Sequence, residues 1–289
     1  MKQGGFQHWL NRSGSGLLSP ALVLLIVVFV APLLLLLPTS LHPYIPGTGI
    51  GTSWTGENFS RLFTDLFYLE IIGRTLLLGF IVVLTTLLFG YPLAYFLART
   101  RSRLRPWLII LVVFPLLLNL VVRSFGWIVL LANRGLINDS LLALGLIEKP
   151  LKLMFNFTGL LIGLSHIFLP FMVLVLLSAI QNIPRDAEDA ARTLGASPLT
   201  VFRKITLPLS LPGILSGGIL VFVLTISALV TPRLLGGPTY QVMSTLIFDE
   251  FLRLLNWPRG AAMAFVLTAI VLVLVWAASR LAKRLGEFR

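Results

Sequence analysis

The sequence contains no cysteine, only three histidines and few charged residues. Charged side chains make up 12% of its 289 residues, whereas 57% are hydrophobic, a balance far from that of a soluble globular domain. The absence of cysteine excludes disulfides, thiolate chemistry and cysteine-based metal sites. The histidines form no HExxH pair, and no GxxxxGK[ST] phosphate-binding loop occurs. We therefore expect no catalytic residues, no metal site, no cofactor and no ATP hydrolysis by this chain.

Long apolar stretches dominate the chain. Six of them exceed the roughly 17 residues that a helix needs to cross about 30 Å of hydrocarbon. Because these stretches are continuously apolar and do not alternate with period two, we expect helices and not a barrel. The first is too long for the core of a signal peptide and lacks a small-residue cleavage site. The sequence thus predicts an all-α integral membrane protein with six transmembrane helices at 17–41, 71–98, 107–131, 158–180, 213–235 and 261–279.

The formal charge of +12 is distributed unevenly between the two sides of this topology. Fourteen Lys and Arg residues lie on the side of the chain termini, and six lie in the opposite loops. The positive-inside rule places both termini in the cytoplasm, and topology accounts for the charge without nucleic-acid binding. The predicted regions are a cytoplasmic N-terminal tail, a membrane domain with one long cytoplasmic loop (181–212), and a cytoplasmic C-terminal tail, at 1–16, 17–280 and 281–289 respectively.

The loop at 181–212 begins with signals for a short helix. Pro184 suits the first turn, and three carboxylates follow near the positively polarised N-terminus: Asp186, Glu188 and Asp189. Gly195 is placed to end the helix in a left-handed conformation. Residues at spacings of three and four predict a small apolar face, made of Ala187, Ala190, Ala191 and Leu194.

A second short helix is predicted directly afterwards. Ser197 and Pro198 suit its N-cap and first position, and its apolar face would contain Leu199, Phe202 and Ile205. We expect Pro208 and Pro212 to keep this helix separate from the next span. A helix lying on anionic lipid is the other interpretation. The three acidic residues and the alanine-rich face favour a protein partner.

The spacing within this loop resembles the cytoplasmic signature of ABC-importer permeases, with an aspartate in place of the usual glutamate. The matching residues are Asp189, Ala190, Ala191, Gly195, Ile205, Leu207 and Pro208. The resemblance implies that these residues contact a cytoplasmic ABC ATPase dimer and transmit its closure to the spans. It also implies a second permease subunit, an extracytoplasmic solute-binding protein and a bacterial inner-membrane location. We expect the second subunit to be a related chain that forms a heterodimer, and a copy of this chain stays open.

Further segments resemble the spermidine/putrescine type of permease. They lie at 91–99, 115–127, 135–138, 169–176, 234–238 and 256–264. This resemblance implies a polyamine, an opine or a related amino-acid-like compound as cargo. Another solute for the same kind of permease stays open. An ion-coupled secondary transporter is less favoured, because no duplicated halves are evident, and a membrane enzyme lacks paired carboxylates.

The ionisable residues inside the predicted spans bear on the cargo. They are Arg74, Arg123, His166 and Arg233, with no carboxylate. Charges inside a bilayer are costly and mark functional positions. We expect Arg74 and Arg233 to reach the outer interface, whereas a pathway role and a structural pair both stay open for Arg123. For His166, a hydrogen bond in the core is favoured over ligand binding.

Aromatic residues near these positions complete the candidate substrate pathway, which consists of Arg123, Phe125, Trp127, His166 and Phe168. A dicationic cargo would favour carboxylates or an aromatic cage, and the predicted spans offer only the aromatic side chains. An anionic or zwitterionic cargo is therefore equally compatible with the sequence.

Overall fold

The computed structural model describes residues 20–287. Within this part of the chain, six helical segments are long and apolar enough to cross a membrane: Pro20–Ser40, Leu66–Arg99, Leu120–Ala143, Phe157–Gln181, Pro198–Ser227 and Trp257–Arg280. The third of these segments consists of two consecutive helices. The predicted class, an all-α protein with six membrane-spanning helices, is confirmed. The N-terminal tail predicted at 1–16 lies outside the described residues.

The secondary-structure elements are labelled in chain order. The helices are α1 (Pro20–Ser40), α2 (Glu57–Thr64), α3 (Leu66–Arg99), α4 (Arg105–Leu117), α5 (Leu120–Leu131), α6 (Leu136–Ala143), α7 (Phe157–Gln181), α8 (Arg185–Thr193), α9 (Pro198–Ser227), α10 (Met243–Leu252) and α11 (Trp257–Glu287). Residues 20–287 include three π-helical segments, at Ile26–Val30, Phe202–Thr206 and Pro232–Gly236. Two short strands, β1 (Tyr44–Ile45) and β2 (Gly49–Ile50), form an antiparallel hairpin.

The chain divides into two compact units, one containing residues 20–64 and 247–266 and the other residues 65–246 and 267–287. In the first unit, the buried side-chain amide of Asn58 donates to the carbonyls of Ser40 at 3.0 Å and His42 at 2.8 Å. These bonds tie α2 to the chain that leaves α1. The amide therefore satisfies backbone groups that the end of a helix leaves without intrahelical partners.

The same unit contains a buried ion pair between Glu250 on α10 and Arg259 on α11. Glu250 is 3% exposed, and its Oε1 lies 3.7 Å from Nη1 of Arg259. Burial raises the pKa of the Glu250 carboxyl above its usual range, and the charge of Arg259 opposes this rise. Since Oε2 has no hydrogen-bond partner among the described residues, Arg259 is the chief compensation for this buried acid.

In the second unit the core is built by α3, α7 and α9, which pack against one another. Its fully buried side chains include Val82 on α3, Met172 and Leu176 on α7, and Val221 on α9. Glycines allow close approach of these helices, as small residues do in membrane bundles. A Cβ on Gly217 would lie 2.9 Å from the sulfur of Met172.

The span predicted at 107–131 is wrong in two respects, because two helices occupy it and the segment long enough to cross a membrane is Leu120–Ala143. Helix α4 ends at Leu117 and α5 begins at Leu120, with extended backbone between them. Pro115 lacks an amide hydrogen for the last turn of α4. Asn119 then caps α5, its side chain accepting from the backbone N–H of Val121 at 2.8 Å. Local capping thus prevails over continuous hydrophobicity.

The span predicted at 213–235 is also wrong at both ends. Helix α9 ends at Ser227, and the backbone turns to an extended conformation at Ala228. At the other end, Pro208 and Pro212 do not separate the second short helix from the span, because α9 runs from Pro198 through both. The π-helical turn before Pro208 shifts the hydrogen-bond register just where that proline lacks its donor.

The second span begins earlier than predicted, at Leu66 instead of residue 71. The extra turn places Glu70 inside it, so the expectation of spans without a carboxylate is wrong. Glu70 pairs with Arg74 one turn later, and the Arg74 guanidinium lies 5.4 Å from the ring centroid of Tyr240. Arg233 lies in the segment Pro232–Gly236 and not within a span.

Candidate coupling surface and solute pathway

Helix α8 forms as the sequence predicted and ends at Thr193, with Leu194 as its C-cap and Gly195 directly after it. The N–H of Gly195 donates to the carbonyl of Arg192 at 2.9 Å, and the N–H of Ala196 donates to that of Ala191 at 3.0 Å. These are the two bonds of a Schellman motif. Gly195 has a φ of +82°, in the left-handed region that costs glycine least. The predicted role of Gly195 as helix terminator is confirmed.

The start of the second predicted helix also forms as expected. The Ser197 hydroxyl accepts the backbone N–H of Thr200 at 3.3 Å, and Pro198 occupies the first turn. Only a short turn therefore separates α8 from α9. The end of α8 and the beginning of α9 are therefore adjacent in the structure.

The seven signature residues separate into two groups by burial. Asp189, Ala190 and Gly195 are exposed, and Ala191 is half-buried. Two large apolar side chains flank them without cover, since Leu194 is 88% exposed and Leu199 is 63% exposed. The second group is half-buried on α9 and contains Ile205, Leu207 and Pro208. The first group, with these two leucines, is the surface open to a partner.

Phe202 was predicted on the same apolar face as Leu199 and Ile205, but it does not share the exposure of Leu199. Its ring packs edge-on against Tyr91 and Tyr95, with centroids 5.7 Å and 5.6 Å apart. The hydroxyl of Tyr91 is hydrogen-bonded to that of Ser210 at 2.8 Å. Aromatic pairs of this geometry stabilise beyond the area they bury, so Phe202 anchors the beginning of α9 to α3.

A buried polar cluster that the sequence did not predict lies beneath α8. Glu188 is 3% exposed, and its Oε1 accepts from Nη2 of Arg99 at 2.7 Å and from Thr206 Oγ1 at 2.9 Å. In the sequence, Glu188 is one of three carboxylates near a helix N-terminus, and Arg99 is one of the fourteen basic residues that indicate the topology. Because 89 positions separate the two residues, no local spacing signals the pair.

Two of the five pathway candidates are in direct contact. The indole Nε1–H of Trp127 on α5 donates to Nδ1 of His166 on α7 at 3.2 Å, and their ring centroids are 5.3 Å apart. Arg123 lies one turn before Trp127 on α5. Its Nε and Nη1 are buried and have no hydrogen-bond partner among the described residues. Two guanidinium nitrogens without partners are able to donate hydrogen bonds to a polar or anionic group.

The other two candidates lie elsewhere. Phe125 is half exposed, at 52%, whereas Phe168 is buried in the core against Phe171, with ring centroids 6.4 Å apart. A residue that the sequence did not suggest joins α5 to the chain after α9, since Ser124 Oγ is hydrogen-bonded to Thr231 Oγ1 at 3.1 Å. Both hydroxyls are buried.

Within the described part of the chain, no group of three His, Asp or Glu side chains is placed to hold a metal ion. Outside the spans, burial raises the pKa of the Tyr240 phenol, and the nearby positive charge of Arg74 opposes this rise.

Comparison with solved structures shows the same fold in ABC transporters. The chain superposes with a TM-score of 0.76 on a bacterial alginate ABC transporter in complex with alginate pentasaccharide-bound periplasmic protein, covering 96% of this chain and 95% of that one at 21% identity. It superposes on the inward-facing MetNI methionine ABC transporter with a TM-score of 0.58, covering 75% and 95% at 17% identity.

Comparison with known sequences is more specific. The chain is 35% identical over 266 residues to the spermidine/putrescine transport system permease protein PotB of Escherichia coli (strain K12), covering 91% of this chain and 96% of PotB. It is 32% identical to the inner membrane ABC transporter permease protein YdcU of the same organism, covering 81% and 77%. The resemblance drawn from the sequence is thereby confirmed.

Residues 86–287 match the family described as binding-protein-dependent transport system inner membrane component. Permease subunits of this family are not themselves enzymes, and the chain is a multi-pass protein of the inner membrane. With six apolar spans, this fold and this match, the chain belongs to the inner-membrane permeases of binding-protein-dependent ABC importers.

Proposed function

We propose that this importer subunit passes a polyamine, or a related amino-acid-derived solute such as an opine, through the membrane. The observation that carries the proposal is the 35% identity to PotB over 91% of the chain. The aromatic side chain of Trp127 suits a cationic solute. The unpaired guanidinium atoms of Arg123 suit a solute that also carries an anionic or carbonyl group.

Uptake in vesicles that contain the complete transporter tests the cargo. Labelled putrescine, labelled spermidine and a labelled opine are offered separately, and unlabelled amino acids compete with them. We expect saturable, ATP-dependent uptake of at least one polyamine or of the opine. Absence of ATP-dependent uptake of all three would contradict the proposed cargo and leave the permease family unaffected.

The proposed contact with the ATPase dimer is the exposed turn between α8 and α9. Asp189, Ala190, Ala191 and Gly195 form the contact surface, on the last turns of α8 and just beyond its end. Ile205, Leu207 and Pro208 lie near the beginning of α9, the fifth span. Exposure of Leu194 at 88% supports this role, because an uncovered leucine beside small residues suits a protein groove. On this proposal, both chain termini lie on the same, cytoplasmic side.

The absence of cysteine makes the contact testable by crosslinking. We expect Leu194→Cys to crosslink to the ATPase and to react with a thiol reagent only from the cytoplasmic side. The matched control is Leu146→Cys, a leucine that is 67% exposed and that the proposed topology places outside. Crosslinking of the control but not of Leu194→Cys would reverse the topology and refute the contact.

Changing the turn itself tests its mechanical role. Gly195→Val adds a β-branched side chain at a φ of +82°, which costs about 1–3 kcal/mol. We expect the assembled transporter to hydrolyse ATP while uptake falls. Normal uptake per ATP at equal membrane abundance would show that the turn does not transmit the motion.

The remaining partners follow from the same assignment. We propose that a second, related permease completes a heterodimer and that a solute-binding protein docks on the outer side. Co-purification from a strain that expresses the whole transporter identifies both, and two copies of this chain alone would refute the heterodimer.

Uptake that continues after removal of the ATPase and follows an ion gradient would instead favour a secondary transporter.

A further inference from the structure

Three elements of the second unit meet at one carboxylate oxygen. Arg99 is the last residue of α3, Glu188 lies on α8, and Thr206 is the last residue of the π-helical segment in α9. Glu188 Oε1 accepts from Arg99 Nε at 3.1 Å, from Arg99 Nη2 at 2.7 Å and from Thr206 Oγ1 at 2.9 Å. One acceptor therefore joins the short helix α8 to two membrane spans.

The cluster is shielded from solvent. The side chain of Glu188 is 4% exposed and that of Arg99 is 14% exposed. Arg99 Nη2 also lies 3.4 Å from the carbonyl of Ile183, in the chain that leads from α7 into α8. A buried ion pair contributes little net stability compared with apolar packing, but loss of one partner leaves a costly unpaired charge. Such a pair fixes relative orientation more than it adds stability.

A second ion pair on the same helix shows the contrast. Asp189 and Arg192 are 66% and 54% exposed and are 3.7 Å apart. Exposed pairs of this kind contribute little, and Asp189 is free to meet another chain. Neighbouring positions on α8 thus differ in role, since Glu188 faces the spans and Asp189 faces outward.

We infer that Arg99, Glu188 and Thr206 form a latch that makes α8 and the inner ends of α3 and α9 move as one body. The inference rests on the proposed coupling surface, because it concerns how a displacement of that surface reaches the spans. These are positioning residues, which transmit the motion without contacting ATP or solute. Phe202 supports the same joint through its contacts with Tyr91 and Tyr95.

The test uses the complete transporter in vesicles and measures solute transported per ATP hydrolysed. Glu188→Gln retains the side-chain size and removes the charge, and Thr206→Val removes one donor. Asp186→Asn on the same helix and Arg101→Gln near Arg99 are matched controls, since both side chains are exposed. We expect transport per ATP to fall about tenfold in Glu188→Gln, to fall less in Thr206→Val, and to stay unchanged in the controls.

A double variant separates the charge pair from a general loss of structure. Arg99→Glu combined with Glu188→Arg restores opposite charges in exchanged positions, and we expect it to regain coupling that each single change loses. The latch would be overturned if the double variant transported no more solute per ATP than the single variant with the lower value. The Tm and the amount of co-purified ATPase are measured alongside, because a merely structural role would lower both.

The other outcomes are equally decisive. Unchanged transport per ATP in Glu188→Gln overturns the inference. A parallel loss of ATPase activity, assembly and transport also overturns it, in favour of a folding role. Failure of the underlying proposal is visible separately, since the ATPase would then not crosslink to Leu194→Cys in a chain whose latch is intact.

Discussion

The close approach of α7 and α9 predicts that one added methyl group will destabilise the bundle. A Cβ built on Gly213 overlaps the Cβ of Ala179, nearer than nonbonded carbons come, with no flexible side chain between the helices to give way. Carbon atoms pack at about 3.5–4.0 Å, so Gly213→Ala must push the two helices apart. Overpacking of this kind costs about 1–3 kcal/mol.

Gly218→Ala on the same helix is the matched control. A Cβ there would lie 3.4 Å from Val83 Cγ1, which is ordinary contact. Both substitutions replace glycine by alanine within α9, so their difference isolates the overlap from helix propensity. The assay is the free energy of unfolding in detergent, and we expect Gly213→Ala to be the less stable by about 1–3 kcal/mol.

The reciprocal change tests the cause. Ala179→Gly removes the opposing methyl group, and combining it with Gly213→Ala places one methyl group at the contact again. We expect the double variant to be more stable than the sum of the two single changes predicts, a coupling that residues in direct contact show. Equal stability of Gly213→Ala and its control, or strict additivity in the double variant, would refute the packing of α9 on α7 as described.

Three other changes test separate parts of the molecule. Arg259→Gln removes the positive charge that opposes the raised pKa of the Glu250 carboxyl. The folded variant then favours the protonated acid still more. We therefore expect the Tm of the variant to fall further below that of the unmodified chain as pH rises through and above the ordinary carboxyl range, and the difference to shrink in acid. A deficit independent of pH in thermal unfolding scans would contradict this linkage. Trp127→Phe retains a ring but removes the donor to His166, and we expect initial solute uptake to fall about two- to tenfold with ATPase activity retained, whereas unchanged uptake would remove this pair from the pathway. Phe202→Leu loses two edge-on aromatic contacts, and we expect a loss of about 0.5–1.5 kcal/mol in denaturant unfolding; no loss would mean that the contacts do not anchor α9.

Local signals in the sequence were sufficient for the turn between α8 and α9. Gly195 ends one helix and Ser197 caps the next, and both features depend on residues within a few positions of each other. The same locality explains why the six spans were found, because a bilayer requires about 20 consecutive apolar residues. Span ends were less accurate where caps and prolines act, as at Asn119 and Pro208.

The sequence by itself determined the class of protein, the family resemblance and the helix signals of the loop. Each of these depends on short segments whose residues are close together in the chain. Only the tertiary structure decided that Glu188 pairs with Arg99, that Phe202 faces the bundle, and that Trp127 contacts His166. These partners lie on different helices, and their pairing follows from how the helices pack. The physical reason is that hydrophobicity marks which segments enter the membrane, whereas steric fit and buried hydrogen bonds select which faces meet.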